Sequence, residues 1–164
     1  MNKWYYISLG SNLGNREKHL ANALIRMKTC GIHIESRSRI YETAPWGKTD
    51  QNSFLNAMIR VSWDGRADAL LAVLLSIEQE EGRTREIHWG PRTLDLDLIW
   101  GPEPFRSSKL TLPHPYFWER AFVLVPMSDI VPDFTYEGET IKSRITALHG
   151  ERDVHLWKGG LWID

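Results

Sequence analysis

Residues 94–99 read Leu-Asp-Leu-Asp-Leu-Ile, and no other stretch of the chain restricts the fold so tightly. Side chains alternate along an extended strand, so Leu94, Leu96 and Leu98 point to one face and Asp95 and Asp97 to the other. The leucine face requires a core. The aspartate face admits two readings: a solvated outer face, or a cation held between two carboxylates that otherwise repel each other.

The rest of the chain supplies partners for such a strand. Trp4 to Leu9 is aromatic and β-branched and stops at the turn-forming cluster Gly10-Ser11-Asn12. Leu20, Ala23, Leu24 and Met27 recur at helical spacing, which predicts a helix over 16–30 ended by Gly31. Residues 32–43 read as a second strand. From Phe54 to Trp63, strict alternation sets Leu55, Ala57, Ile59, Val61 and Trp63 against Phe54, Asn56, Met58 and Arg60, predicting a half-buried strand. Asp64 is the expected N-cap of a helix over 66–81, with Leu70, Leu74 and Ile77 along its stripe and Gly82 as its stop. After the strand 94–100 come an expected short helix near 116–120, an apolar strand over 122–127 and a C-terminal helix over 140–149. Residues 158–164 read as a loose end apart from their tryptophan. The βαββαβ order predicts an α+β fold of ferredoxin-like type, an antiparallel-rich sheet with helices on one face.

With 164 residues, 25% charged and 42% hydrophobic, the chain suits one globular domain over 1–164. Twenty Lys and Arg against 21 Asp and Glu argue against an electrostatic surface for nucleic acid or anionic lipid, so any basic site is local. The lone Cys30, the absence of a signal-peptide pattern in MNKWYYISLG and the lack of any apolar run of membrane length lead to an expectation of a cytoplasmic protein. Eight tryptophans fit either a rich core or flat surfaces for a ring-shaped ligand.

Arg83, Arg85 and Arg92 bracket the approach to the two aspartates. Arginines beside an acidic metal pair suit a polyphosphate, because Mg²⁺ bridges phosphates and guanidinium forks take their oxygens. The competing reading pairs these arginines with Glu78, Glu80, Glu81 and Glu86 at the surface. Lys109 to Pro115 and Arg120 form a second cationic group around a Pro-flanked His114, suited to a phosphate or ribose oxygen or to a merely structural role. Phe54 beside Asn56 suits the edge of a flat heterocycle, or simply a core. Gly47-Lys48-Thr49 is no P-loop, since Glu42 stands where the first glycine is required and Pro45 lacks an N–H.

Several segments, in order and spacing, resemble the 6-hydroxymethyl-7,8-dihydropterin pyrophosphokinase family of folate biosynthesis. They are Leu9 to Asn15, Tyr41 to Gly47, Phe54 to Ala57, Ile77-Glu78 with Gly82-Arg83, Trp89 to Asp97, and Leu112 to Pro115 with Glu119 to Leu124. The resemblance implies Mg²⁺-dependent transfer of the β,γ-diphosphate of ATP to the hydroxymethyl group of the reduced pterin, with release of AMP. It implies that Asp95 and Asp97 hold two Mg²⁺ ions, and that Arg83 and Arg92 bind the phosphates being transferred. Arg85 and Trp89 would lie on a mobile loop that closes the site. Phe54 and Phe122 would sandwich the pterin, Asn56 and the Thr43 and Ala44 backbone would bind its polar edge, and Trp46 would lie over it. The ATP side would use Glu78, the Leu98 or Ile99 backbone, Lys109, Thr111, His114 and Arg120. Gly10 would permit close chain packing near the pterin. Leu75 and Tyr116-Phe117-Trp118 depart from the family pattern near the nucleotide.

The long loops 44–52 and 83–91 are expected to close over both substrates. The resemblance implies that many relatives are fused to dihydropteroate synthase; no such domain is expected in a chain of 164 residues, and association with other enzymes of the pathway stays open. Two other functions compete with the pyrophosphokinase. One is a different Mg²⁺-dependent nucleotide enzyme on the same fold. The other is an RNA-binding module whose sheet aromatics stack bases, against which the balanced charge counts.

Overall fold

The computed structural model describes residues 3–44, 53–82 and 93–163. Its first half runs β1 (Trp4–Ser11), α1 (Arg16–Thr29), β2 (His33–Arg37), β3 (Tyr41–Thr43), β4 (Phe54–Ser62), α2 (Ala67–Glu80) and β5 (Asp95–Trp100). Two short strands follow, β6 (Phe105–Arg106) and β7 (Thr111–Leu112), then a 3₁₀ turn at Phe117–Glu119 and α3 (Ala121–Ile130). The chain continues through β8 (Thr135–Tyr136), β9 (Glu139–Thr140), α4 (Ile141–Ala147), α5 (Gly150–Asp153) and β10 (Val154–Leu156). The main sheet has the order β10-β3-β4-β1-β5, with β2 also on β4, and every pairing is antiparallel.

Local chemistry accounts for the first helix. Asn15 Oδ1 accepts from the Lys18 N–H at 3.2 Å, and Gly31 at φ +86° turns the chain after Cys30. Leu20, Ala23, Leu24 and Met27 are buried against the face of the sheet that carries Ile7, Leu9, Leu55, Ile59, Leu96 and Leu98. Leu70, Leu74 and Ile77 of α2 complete this core.

Six expectations need correction. The helices cover both faces of the sheet, because residues 122–127 are not a strand but the body of α3, which packs with α4 on the second face. The apolar run had no polar position to reveal its period, and burial of Val123, Leu124 and Met127 decides for the helix despite Pro126. β4 is consequently covered on both faces: Met58 belongs to the second core while Leu55, Ala57, Ile59 and Val61 belong to the first. The stretch 32–43 is two strands, because the Ser38 side chain takes over the ladder, accepting from the Met58 N–H at 2.8 Å, and Ile40 turns to pair with Gly160 and Trp157. That pairing, with Trp162 Nε1 donating to the Ser38 carbonyl at 2.7 Å, ties down an end expected to be loose. Finally, Asp64 does not cap α2. The Trp63 indole donates to the Arg66 carbonyl at 3.1 Å, and the resulting turn makes Arg66 the N-cap residue.

Candidate functional site

The strand register assembles the site. Gly10 on β1 faces Asn56 on one side and Asp95 on the other, and Asn56 in turn faces Tyr41 on β3. One row across the sheet therefore reads Tyr41, Asn56, Gly10, Asp95. Two residues along, Ser8 lies between Met58 and Asp97, and in the other direction Thr43 faces Phe54. Since side chains alternate, Asp95, Asp97, Asn56, Phe54 and Thr43 all stand on the second face. α3 covers the Met58 end of that face and leaves the rest open.

The uncovered part is the floor of a cavity of about 840 Å³, within the size range of small-molecule sites. Thr43, Ala44, Phe54, Asn56, Asp95 and Asp97 line it from the sheet, and Arg120 and Phe122 enter from the start of α3. The Thr43 hydroxyl donates to Asn56 Oδ1, which fixes the amide so that its NH₂ is the remaining donor. A β-carbon at Gly10 would lie 3.2 Å from Asn56 Nδ2, so glycine there lets the amide sit beside the carboxylates. The Arg120 guanidinium lies 5.8 Å from the centre of the Phe122 ring. Among the described residues no three His, Cys, Asp or Glu side chains gather at one point. A cation at Asp95 and Asp97 would thus complete its shell with water or phosphate oxygens. That donor set fits Mg²⁺, which ordinarily takes one or two carboxylates and keeps the rest of its octahedron for water and substrate.

The residues expected on the nucleotide side lie elsewhere. Glu78, Leu98, Ile99, Lys109, Thr111 and His114 do not line the cavity; Glu78 and His114 bond to the backbone of β5, the end strand of the sheet, and β7, with Thr111, packs against it. The Glu78 carboxylate, only 3% exposed, accepts from the Leu96 N–H at 2.6 Å. The Ile99 carbonyl accepts from the His114 N–H at 2.8 Å. Leu98, two residues from Leu96, presents its backbone to that same edge between the two bonds. His114 Nδ1 accepts from the Tyr116 N–H at 3.2 Å, leaving Nε2 to carry the ring proton. Burial, reinforced by Arg120, holds the His114 pKa below the ordinary value and so favours this neutral form. Lys109 is exposed, and Thr111 is on β7, paired with Arg106.

Because Glu78 offers a charged acceptor to a buried amide, Glu78→Gln is expected to lower the unfolding free energy by about 1 kcal/mol, the difference between charged and neutral hydrogen bonds. A thermal melt checks this, with a fall of about 2–4 °C expected for a chain of this size.

Trp46, Arg83, Arg85, Trp89 and Arg92 lie outside the described residues, as does most of the expected lid. Other lining residues escaped the sequence reading. Leu148 at the end of α4, with Arg152, Asp153, Val154 and His155 from α5 and β10, forms a wall, where Val154 faces Thr43 and His155 faces Glu42. Three strand residues without a motif give no signal of this. On the rim, Arg16 of α1 holds Glu42 Oε2 at 3.0 Å and the Ser53 carbonyl at 2.7 Å. No helix of the described residues is long and apolar enough to cross a membrane.

A family model described as 7,8-dihydro-6-hydroxymethylpterin-pyrophosphokinase (HPPK) matches residues 6–132. The chain is 43% identical to the 2-amino-4-hydroxy-6-hydroxymethyldihydropteridine pyrophosphokinase of Methylorubrum extorquens, over 87% of this chain and 92% of that protein. It is 37% identical to the protein of the same name in Bacillus subtilis, over 100% of this chain and 96% of that one. In structure it superposes on a crystal structure of a Plasmodium falciparum HPPK-DHPS chain with a TM-score of 0.69 at 13% identity, a likeness of fold. The match covers 90% of this chain and 45% of that longer one, so the chain spans less than half of it.

Proposed function

Because the chain belongs to the 7,8-dihydro-6-hydroxymethylpterin-pyrophosphokinase family, we propose that it carries out the family's reaction in the cavity described above. The β,γ-diphosphate of ATP passes to the hydroxymethyl oxygen of 6-hydroxymethyl-7,8-dihydropterin, and AMP leaves, a step of folate synthesis. One observation carries the placement: strand register sets an aromatic and amide pair, Phe54 and Asn56, across Gly10 from the two carboxylates, Asp95 and Asp97. A flat polar heterocycle bound at the first pair brings a substituent within reach of phosphates held at the second.

In this reading Phe54 and Phe122 hold the two faces of the ring, while Asn56 with the Thr43 and Ala44 backbone reads its polar edge. Asp95 and Asp97 hold two Mg²⁺ ions, which when bound neutralise triphosphate charge and polarise the attacked phosphorus. The protein needs no nucleophile of its own, since positioning and charge stabilisation suffice for phosphoryl transfer. Arg120 adds a permanent positive charge at the cavity. We assign Arg83 and Arg92 to the transferred phosphates, Arg85 and Trp89 to the same segment, and Trp46 to the pterin side. Along the β5 edge, the Leu98 and Ile99 backbone, Thr111 and Lys109 take the nucleotide, His114 Nε2–H donates to an oxygen of it, and Glu78 keeps the edge in place. Both cores share one sheet, which supports a single domain. An exposed free thiol at Cys30 suits a reducing, cytoplasmic setting.

The test is to incubate the protein with ATP, Mg²⁺ and the pterin, beside a tube without pterin, and to resolve the nucleotides. AMP without ADP, formed only with pterin, is the expected result. ADP in equal amounts in both tubes would overturn the reading in favour of a different nucleotide enzyme.

A further inference from the structure

We propose that Tyr41 and Asp129 are positioning residues that set the width of the ring slot between Phe54 and Phe122. This rests on the reading that those two phenylalanines face opposite sides of the pterin. The two walls stand on separate elements, Phe54 on β4 and Phe122 on α3. A ring stacked on both sides leaves roughly 7 Å between the flanking planes, two contacts of about 3.5 Å, and a radial gap of 0.5–1 Å already forfeits a quarter to a half of each contact.

Apolar packing does not hold α3 to that tolerance by itself. Val123, Leu124 and Met127 bury the helix against the sheet, but such contacts have no preferred direction. Among the described residues, the hydrogen bonds that tie an α3 side chain to the sheet segment beneath are those of Asp129. Its carboxylate accepts from the Tyr41 hydroxyl at 2.8 and 3.0 Å, from the Arg39 backbone N–H at 3.0 Å, and from Arg39 Nε and Nη2 at 3.2 and 2.9 Å.

Placement makes this tie specific to the slot. Asp129 lies seven residues from Phe122, so both share one face of the helix two turns apart. Tyr41 is 4% exposed, faces Asn56 across the ladder, and shares a strand face with Thr43, the partner of the Asn56 amide. One rigid link thus joins the residues that read the ring edge to the helix that closes over the ring. Burial, then the Asp129 carboxylate, pushes the Tyr41 phenol up to about 12, so it remains a donor at every working pH.

The experiment is Tyr41→Phe, with initial rates of pterin-dependent AMP formation measured while each substrate is varied in turn. The KM for pterin is expected to rise about 5- to 10-fold, less than the roughly 10- to 150-fold of a fully lost hydrogen bond to a charged group because Arg39 still holds Asp129, with kcat and the KM for ATP held within about twofold. If Tyr41→Phe fails to fold by circular dichroism, Asp129→Glu takes its place with the same expectation, since it keeps the charge but moves it by one methylene. A folded variant with an unchanged KM for pterin overturns the proposal. So does an equal rise in both KM values, which marks general loosening. Absence of AMP from the unsubstituted protein is distinguishable from either and removes the functional reading beneath it.

Discussion

Asp95→Ala or Asp97→Ala is expected to lower pterin-dependent AMP formation by about 10³-fold, equivalent to about 4 kcal/mol of transition-state stabilisation. Both carboxylates stand on the cavity face of an end strand, two residues apart, and both line the cavity. On the proposed function they bring two negative charges to a place that also receives a polyphosphate, an arrangement that would be repulsive without cations and productive with them. Stability should change by no more than about 1 kcal/mol, because neither side chain contributes to a core and partly exposed charges are worth little. Asp95→Asn and Asp97→Asn keep the shape and remove the charge, and are expected to match the alanine variants. The rates are measured across a Mg²⁺ series at saturating ATP, beside thermal melts. Activity within about fivefold of the unsubstituted protein in both aspartate variants would remove the site from this face.

Local rules made some elements legible. The β5 alternation is observed as expected, with Leu94, Leu96 and Leu98 buried and Asp95 and Asp97 on the opposite face. α1 was readable because its stripe and stop both lie within a short stretch of sequence, although its Asn15 cap went unread. α3 was not, since Phe122 to Met127 is apolar at every position and its state depends on a sheet face contributed by residues far along the chain. The break at Ser38 was hidden for a related reason: a serine hydroxyl replacing a ladder bond resembles any serine in a strand.

The site shows the same division. Alternation already placed Asn56 opposite Leu55, and Asp95 opposite Leu96. That Asn56 and Asp95 flank one glycine is a matter of register across three strands, which no local pattern encodes. Family resemblance supplied the missing step, since it ties distant segments together without any knowledge of their pairing. It did not reach the α5 and β10 wall, where Arg152 and His155 enter the cavity without a motif.

Removing both faces of the ring slot in a Phe54→Ala, Phe122→Ala double variant is expected to raise the KM for pterin about 10³-fold, taking about 2 kcal/mol per stacked face. Each single variant should raise it about 30-fold, while the KM for ATP moves little. The distinction matters because Phe122 also packs against the second core and Phe54 stands at the end of β4. Either alanine therefore costs some stability. A loss confined to folding lowers the amount of active protein and with it the apparent kcat, leaving both KM values in place. A loss of stacking appears in the KM for pterin alone. Near-additive single effects would mean that the two rings contact opposite faces independently, whereas one silent single variant, with the double no worse than the other single, would mean that one ring alone stacks on the substrate. Unchanged KM values for pterin in all three variants, with folding intact, would refute the sandwich and direct the search for the pterin to the other side of Gly10.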